Sequence, residues 1–257
     1  MPDPNRPFPN HAGEKIYNSA LIAVLLCLLS TVLISVFLMS LVPPIMRDEL
    51  IHHLAVPKMW INKGAIHQIP HLVSSYYPMN LDLLYMIPLY FGNDTVPKLI
   101  HFCFGLGTAW LLYIYLLNRA GRPMALLGSL LFLTTPVIMK LSISAYVDLG
   151  LAFFKWASLY YLFKWKYDSN RIHYLIYAAI FCGLGLVTKY NVLIILILYC
   201  LLIPVLYLNN NQKTVCGQLK AVNYIVLFCL ISMSIFSPWM IRNYNWTGNP
   251  VYPLYEE

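Results

Sequence analysis

Charge is what this sequence has least of: Lys, Arg, Asp and Glu make up 11% of its 257 residues, against roughly a quarter in an ordinary soluble domain. That scarcity argues against a water-soluble globular chain. The basic residues occur singly or in pairs and never as a dense run, which excludes a nucleic-acid partner despite the formal net charge of +7. No C-x-x-C pair is present, and five of the six cysteines lie inside apolar runs, where they act as small hydrophobes. Glycine-rich phosphate loops, a Ser/His/Asp hydrolytic pattern and internal repeats are also missing.

Apolar sequence is abundant instead, at 60% hydrophobic and 15% aromatic residues. Residues 16–46 contain no Lys, Arg, Asp or Glu. About 20 apolar residues cross the hydrocarbon of a bilayer, so this run reads as a membrane span. It is too long for a signal-peptide core and ends in Pro43-Pro44 rather than at a small-residue cleavage site, which makes it a retained anchor. Further spans are predicted at 95–117, 123–141, 146–163, 172–187, 190–208 and 221–241. With the N-terminus inside, the inner segments hold Arg6, Lys15, Arg119, Arg122, Lys164, Lys166, Arg171, Lys213 and Lys220. The short outer segments hold only Lys140, Lys189 and Arg242. The bias of cations to the inner side favours that orientation.

One long outer loop, 42–94, carries four of the ten acids, Asp48, Glu49, Asp82 and Asp94, and four of the seven histidines. Between 47 and 63, Leu50, Ile51, Leu54, Ala55, Met59 and Ile61 recur at helical spacing beside a face with Asp48, Glu49, His52 and His53. This pattern predicts a helix lying on the membrane surface and bent at Pro57. A second amphipathic segment, 80–91, is too short to span.

Ionisable groups at a membrane are costly and mark function by default. Asp48 and Glu49 lie just past the outer end of the first span, where a carboxylate meets lipid-borne and water-soluble substrates alike. Acids at that position also suit the first turn of a helix, so catalysis and capping both fit them. Asp148 stands at the outer mouth of the fourth span, with the same two readings. Lys189, in the turn Thr188-Lys189-Tyr190-Asn191, and Arg242, after Pro238-Trp239, are outer cations. Each suits a phosphate, and each suits an interfacial anchor. His52 and His53 follow Asp48 and Glu49 by four residues, a metal-like spacing. No second cluster closes a zinc site, so no metal is expected and the two histidines join Lys189 and Arg242 as substrate-binding candidates.

Taken in order, Arg47-Asp48-Glu49, Tyr76-Tyr77-Pro78-Met79-Asn80-Leu81-Asp82, Tyr146-Val147-Asp148, Thr188-Lys189-Tyr190, Ser237-Pro238-Trp239, Arg242-Asn243 and Thr247-Gly248-Asn249-Pro250 resemble the bacterial polytopic glycosyltransferases of the GT-C type. These are related to the dolichyl-phosphate-mannose protein mannosyltransferases and the aminoarabinose transferases. The resemblance implies transfer of a sugar from a polyprenyl-phosphate carrier to a glycan, lipid or protein acceptor, at the outer face of the inner membrane and without a cofactor. It implies that Asp48 is the base or acceptor-orienting acid, supported by Glu49 and Asp148. Lys189 and Arg242 are the groups expected to receive the lipid phosphate.

The sequence therefore predicts an all-α polytopic membrane protein with about seven transmembrane helices. A cytoplasmic tail, 1–15, precedes one GT-C-like transmembrane domain, 16–257, that includes the long loop. Family members usually continue further, so the chain resembles an N-terminal half whose remainder is missing or supplied by a second polypeptide. The alternative is a non-catalytic multi-span protein, a lipid-carrier transporter or an assembly subunit. It would call for ionisable residues along a through-path and inverted-repeat symmetry, neither of which is seen.

Overall fold

The computed structural model describes residues 12–169, 171–210 and 215–255. Arg6, Lys213 and most of the expected tail 1–15 lie outside the described residues. Among those described, the fold is all-α, with nine helices and no strand. Helix α1 (Ala12–Ser40) contains most of the charge-free run that begins at Ile16, and it stops before Pro43-Pro44, neither of which can donate to a helical ladder. Helix α2 (Ala55–Lys63) and α3 (Asn80–Tyr90) belong to the long loop. They are followed by α4 (Val96–Thr134), α5 (Pro136–Ser142), α6 (Asp148–Tyr167), α7 (Ile172–Leu186), α8 (Val192–Asn210) and α9 (Val215–Thr247).

Two of the expected spans lie within α4. At Gly121 the backbone takes φ 81° and ψ 175°, a conformation open to glycine alone among common residues. The chain folds back on itself there. Ser129 Oγ donates to the carbonyl of Ala109 across the hairpin at 3.0 Å, and Gly128 faces Leu112 and Leu116. The second arm ends at Thr134 rather than at 141, because Pro136 has no N–H to continue the ladder and opens α5 instead.

Among the described residues, three helices are by length and composition able to cross a membrane, over Ser19–Ser40, Val96–Thr134 and Gly217–Thr247, with shorter apolar helices at Ile172–Leu186 and Val192–Leu208. In hydrocarbon, backbone polar groups must be satisfied within the protein, and helices do this segment by segment. Helix α6 carries Asp148 in its first turn and Lys164 and Lys166 in its last, matching the helix dipole at both ends.

Helices α6 to α9 enclose the main core, with Leu162, Trp165, Leu175, Leu186, Ile203 and Phe228 all excluded from solvent. Small side chains bring α7 close to its neighbours, and hydroxyls join them: Ser158 Oγ donates to the Ala178 carbonyl at 2.8 Å, and Ser232 Oγ to that of Ala179 at 2.9 Å. Gly183 is a point of close approach between α7 and α9. A Cβ there would sit 2.9 Å from Ile235 Cβ and 3.0 Å from the Ser232 carbonyl, neither of which is a flexible side-chain tip. Gly183→Ala is expected to cost about 1–3 kcal/mol through forced separation of the helices, read as a lower midpoint of thermal unfolding in detergent. An unchanged midpoint would show that α7 and α9 slide apart freely.

The loop helix differs from its predicted form. Its irregularity is a π-helical turn, Glu49–His53, closed by Leu54 N–H to the Glu49 carbonyl at 2.9 Å. No bend arises at Pro57, which falls in the first turn of α2 where a missing N–H costs nothing. The faces divide differently along the turn: Glu49, His53 and Leu54 turn inward, while Leu50 and Ile51 are each 47% exposed. The polar groups find partners in the bundle. Leu50, Ile51 and the exposed Leu41, Val42 and Ile45 form an apolar rim suited to lipid.

Candidate active site

Five connections meet at one end of the bundle: α1 to α2, the approach to α3, α5 to α6, α7 to α8, and the exit of α9. The first is held by Glu49, 1% exposed. Its Oε1 accepts from the Ala145 N–H at 2.6 Å and its Oε2 from the Met46 N–H at 3.2 Å. Both oxygens are thus bound to backbone, tying the loop to the segment that leads into α6. Asp48, one residue earlier, points outward and is exposed.

The π turn sets His52 and His53 face to face, with ring centroids 4.3 Å apart. His53 Nδ1 donates to Asp82 Oδ1 at 2.6 Å, and both groups are buried. His52 has its Nε2 buried without a hydrogen-bond partner. Burial, with the neighbouring His53 second, lowers its pKa to about 4, so it is neutral at physiological pH. Asp48 is near enough to act on it electrostatically.

The segment before α6 is clamped from α4 and α3. His101 Nδ1 donates to the carbonyls of Leu141 and Ser144 at 3.0 and 2.8 Å, while its Nε2 accepts from the Leu149 N–H at 2.9 Å. This pattern requires the neutral Nδ1–H tautomer. Tyr85 donates to the Tyr146 carbonyl at 2.5 Å. Burial and the nearby Asp82 hold the Tyr85 phenol well above its ordinary pKa, so it remains a donor. The Tyr146 ring meets His53 edge-on at 5.7 Å. Asp148 then emerges half-exposed and accepts from Lys189 Nζ at 2.9 Å.

Arg242 occupies the α9 exit. Its guanidinium lies between Trp239 and Trp246, 4.1 and 4.6 Å from their ring centroids. One terminal nitrogen donates to the Tyr76 carbonyl and to Asn243 Oδ1, both at 2.7 Å. The other, NH1, is buried with no hydrogen-bond partner. Asn243 Nδ2 reaches the carbonyls of Tyr76 and Tyr252 and the hydroxyl of Tyr190. Beside Arg242 opens a cavity of about 320 Å³ lined by Ile66, Asn80, Leu83, Leu184 and Trp239.

The sequence-predicted residues thus form two groups. Asp48, Glu49, His52 and His53 share one turn next to the Asp148–Lys189 pair, whose lysine acts electrostatically on His52. Arg242 stands apart, joined to the others through Tyr77, whose ring is 6.1 Å from both His52 and Tyr190. Its cavity is not lined by Asp48, Asp148 or Lys189. No three His, Cys, Asp or Glu side chains converge as a metal cluster among the described residues.

The model of the dolichyl-phosphate-mannose-protein mannosyltransferase family matches residues 75–247, more than half of the chain. The chain belongs to this family. No curated protein and no solved structure gives a significant match. As a member of the mannosyltransferase family with several long apolar helices, the protein is an integral membrane glycosyltransferase of the GT-C kind. The region matched by the mannosyltransferase family contains Asp82, Asp148, Lys189 and Arg242, and begins after Asp48, Glu49, His52 and His53.

Sequence reading had not singled out Asp82, Tyr85, His101 or Asn243 as site residues. His101 carried a readable signal, a lone histidine in an apolar helix, where an ionisable group needs partners. Asp82 closes the family-like segment 76–82, but its pairing with His53, 29 residues away, is set by the fold.

Proposed function

We propose that this protein transfers a sugar from a polyprenyl-phosphate carrier to a hydroxyl-bearing glycan, lipid or protein acceptor at the outer face of the inner membrane. In this reading residues 16–257 act as one domain of seven crossings, with the N-terminus inside. As the acceptor oxygen attacks the sugar's anomeric carbon, its proton passes to Asp48. The bond between that carbon and the phosphate oxygen breaks, and the polyprenyl phosphate departs with the bonding electron pair. Exposure suits Asp48 to this step, since a general base must reach an incoming hydroxyl.

The leaving phosphate gains negative charge, which preorganised cations stabilise. Lys189 is held by Asp148 through one N–H and keeps the others for phosphate. Arg242 is stacked and oriented, with one nitrogen still unpartnered. The observation that carries the reading is that the exposed Asp48 and Lys189, the partner of Asp148, both act electrostatically on His52 at one end of a mannosyltransferase-family bundle.

The test uses membranes holding the full chain, supplied in parallel with sugar-labelled polyprenyl phosphate and the matching nucleotide sugar. Label should reach acceptor from the lipid-linked donor alone. Transfer from the nucleotide sugar alone, or from neither donor, would overturn the proposal.

A further inference from the structure

A second cavity lies at the opposite end of the bundle from the candidate site. It is a groove of about 310 Å³ between the α4 hairpin and α6, and its walls include Leu112, Tyr115, Phe132, Trp156 and Tyr160. Trp156 is 51% exposed beside it, so the groove faces the surroundings of the bundle and not its core. Along α4 it runs from Thr108 to Leu116, about 12 Å of helix rise. One leaflet of hydrocarbon is about 15 Å thick, so the groove has the length of much of one acyl chain.

Cations stand at its end nearest the Gly121 turn. Arg119, one turn beyond Tyr115, places its guanidinium 3.9 Å from that ring and donates to the Tyr167 hydroxyl at 3.0 Å, which bridges α4 to α6. Lys164, one turn beyond Tyr160, holds its ammonium 4.9 Å from that ring. Both are exposed. The only acid of the adjoining α6 end, Asp168, is paired to Arg171 at 2.7 Å, leaving Arg119 and Lys164 without an acidic partner among the described residues.

We propose that this groove binds one anionic phospholipid, with an acyl chain along Leu112 and Trp156 and the headgroup phosphate on Arg119 and Lys164. An apolar slot running inward from a pair of cations has the polarity order of a phospholipid, and basic pockets between membrane helices select anionic headgroups. The carrier phosphate does not fit this assignment. The candidate site adjoins His101, fourteen residues up α4 from Tyr115 and so about 21 Å away along the helix. The inference is independent of the sugar-transfer reading.

Purified full chain in detergent would be titrated with phosphatidylglycerol or with phosphatidylcholine of the same acyl chains, and the lipids retained per protein counted by native mass spectrometry. One phosphatidylglycerol should be retained at about tenfold lower concentration than phosphatidylcholine. The preference should vanish in the double variant R119A/K164A and persist in R171A. Leu112→Trp, which fills the groove, should reduce retention of both lipids. Added polyprenyl phosphate should leave the bound phosphatidylglycerol in place. Equal retention of the two lipids, equal loss in R171A, or displacement by polyprenyl phosphate would each overturn the proposal.

Discussion

Asp48→Asn is expected to lower the rate of sugar transfer by about 10²- to 10⁴-fold, the usual contribution of a general base, with the amount of protein in the membrane unchanged. Asparagine keeps the size and shape of the side chain and removes its capacity to take a proton. Because Asp48 is exposed, the substitution leaves no buried group unpaired and the fold has little reason to respond. Donor binding should also survive, since the cations assigned to the phosphate are Lys189 and Arg242. The loss should therefore fall on turnover, with apparent donor affinity close to wild type. The measurement is the initial rate of label transfer from polyprenyl-phosphate sugar at several donor concentrations. Wild-type turnover in the variant would remove Asp48 from the chemistry.

Its neighbour should behave in the opposite way. Glu49→Gln is expected to destabilise the protein by about 2–3 kcal/mol, because the two carboxylate oxygens accept from two different backbone N–H groups in a buried place. Glutamine supplies one acceptor and turns an NH₂ toward the second N–H, leaving two donors face to face. Thermal unfolding in detergent would show the loss as a lower midpoint, with Asp48→Asn at the wild-type value. A stable Glu49→Gln variant would mean that the link from the loop to Ala145 does not hold this end together. Adjacent acids that read alike in sequence thus divide into one exposed at the surface and one buried with both oxygens on backbone N–H groups.

That division marks how far the sequence is readable. The all-α membrane class follows from the scarcity of charge, and the hydrophobic runs locate most helices, because a bilayer demands long apolar segments with self-satisfied backbones. The α4 hairpin was legible as two spans, since Arg119 and Arg122 flank the turn. The orientation of the loop helix was not. Its periodicity fixes two faces, but which one turns inward depends on Ala145 and Asp82, partners 96 and 29 residues away. The site is legible to the same degree. Asp48, Asp148, Lys189 and Arg242 stand out as charges near span ends, whereas the Asp148–Lys189 pair and the placing of Arg242 between two tryptophans arise from packing between helices distant in sequence.

Gly121 also governs the parity of the chain. A straight helix of the 39 residues of α4 would run about 58 Å, nearly twice the roughly 30 Å of bilayer hydrocarbon. The backbone that only glycine adopts readily at this point turns one over-long rod into a pair that leaves and returns to the same side, and His101 and Leu141 meet there as a result. Every helix after α4 takes its up or down sense from that reversal. A single residue at the end remote from the candidate site thereby decides whether Asp148, Lys189 and Arg242 arrive on the same side as Asp48.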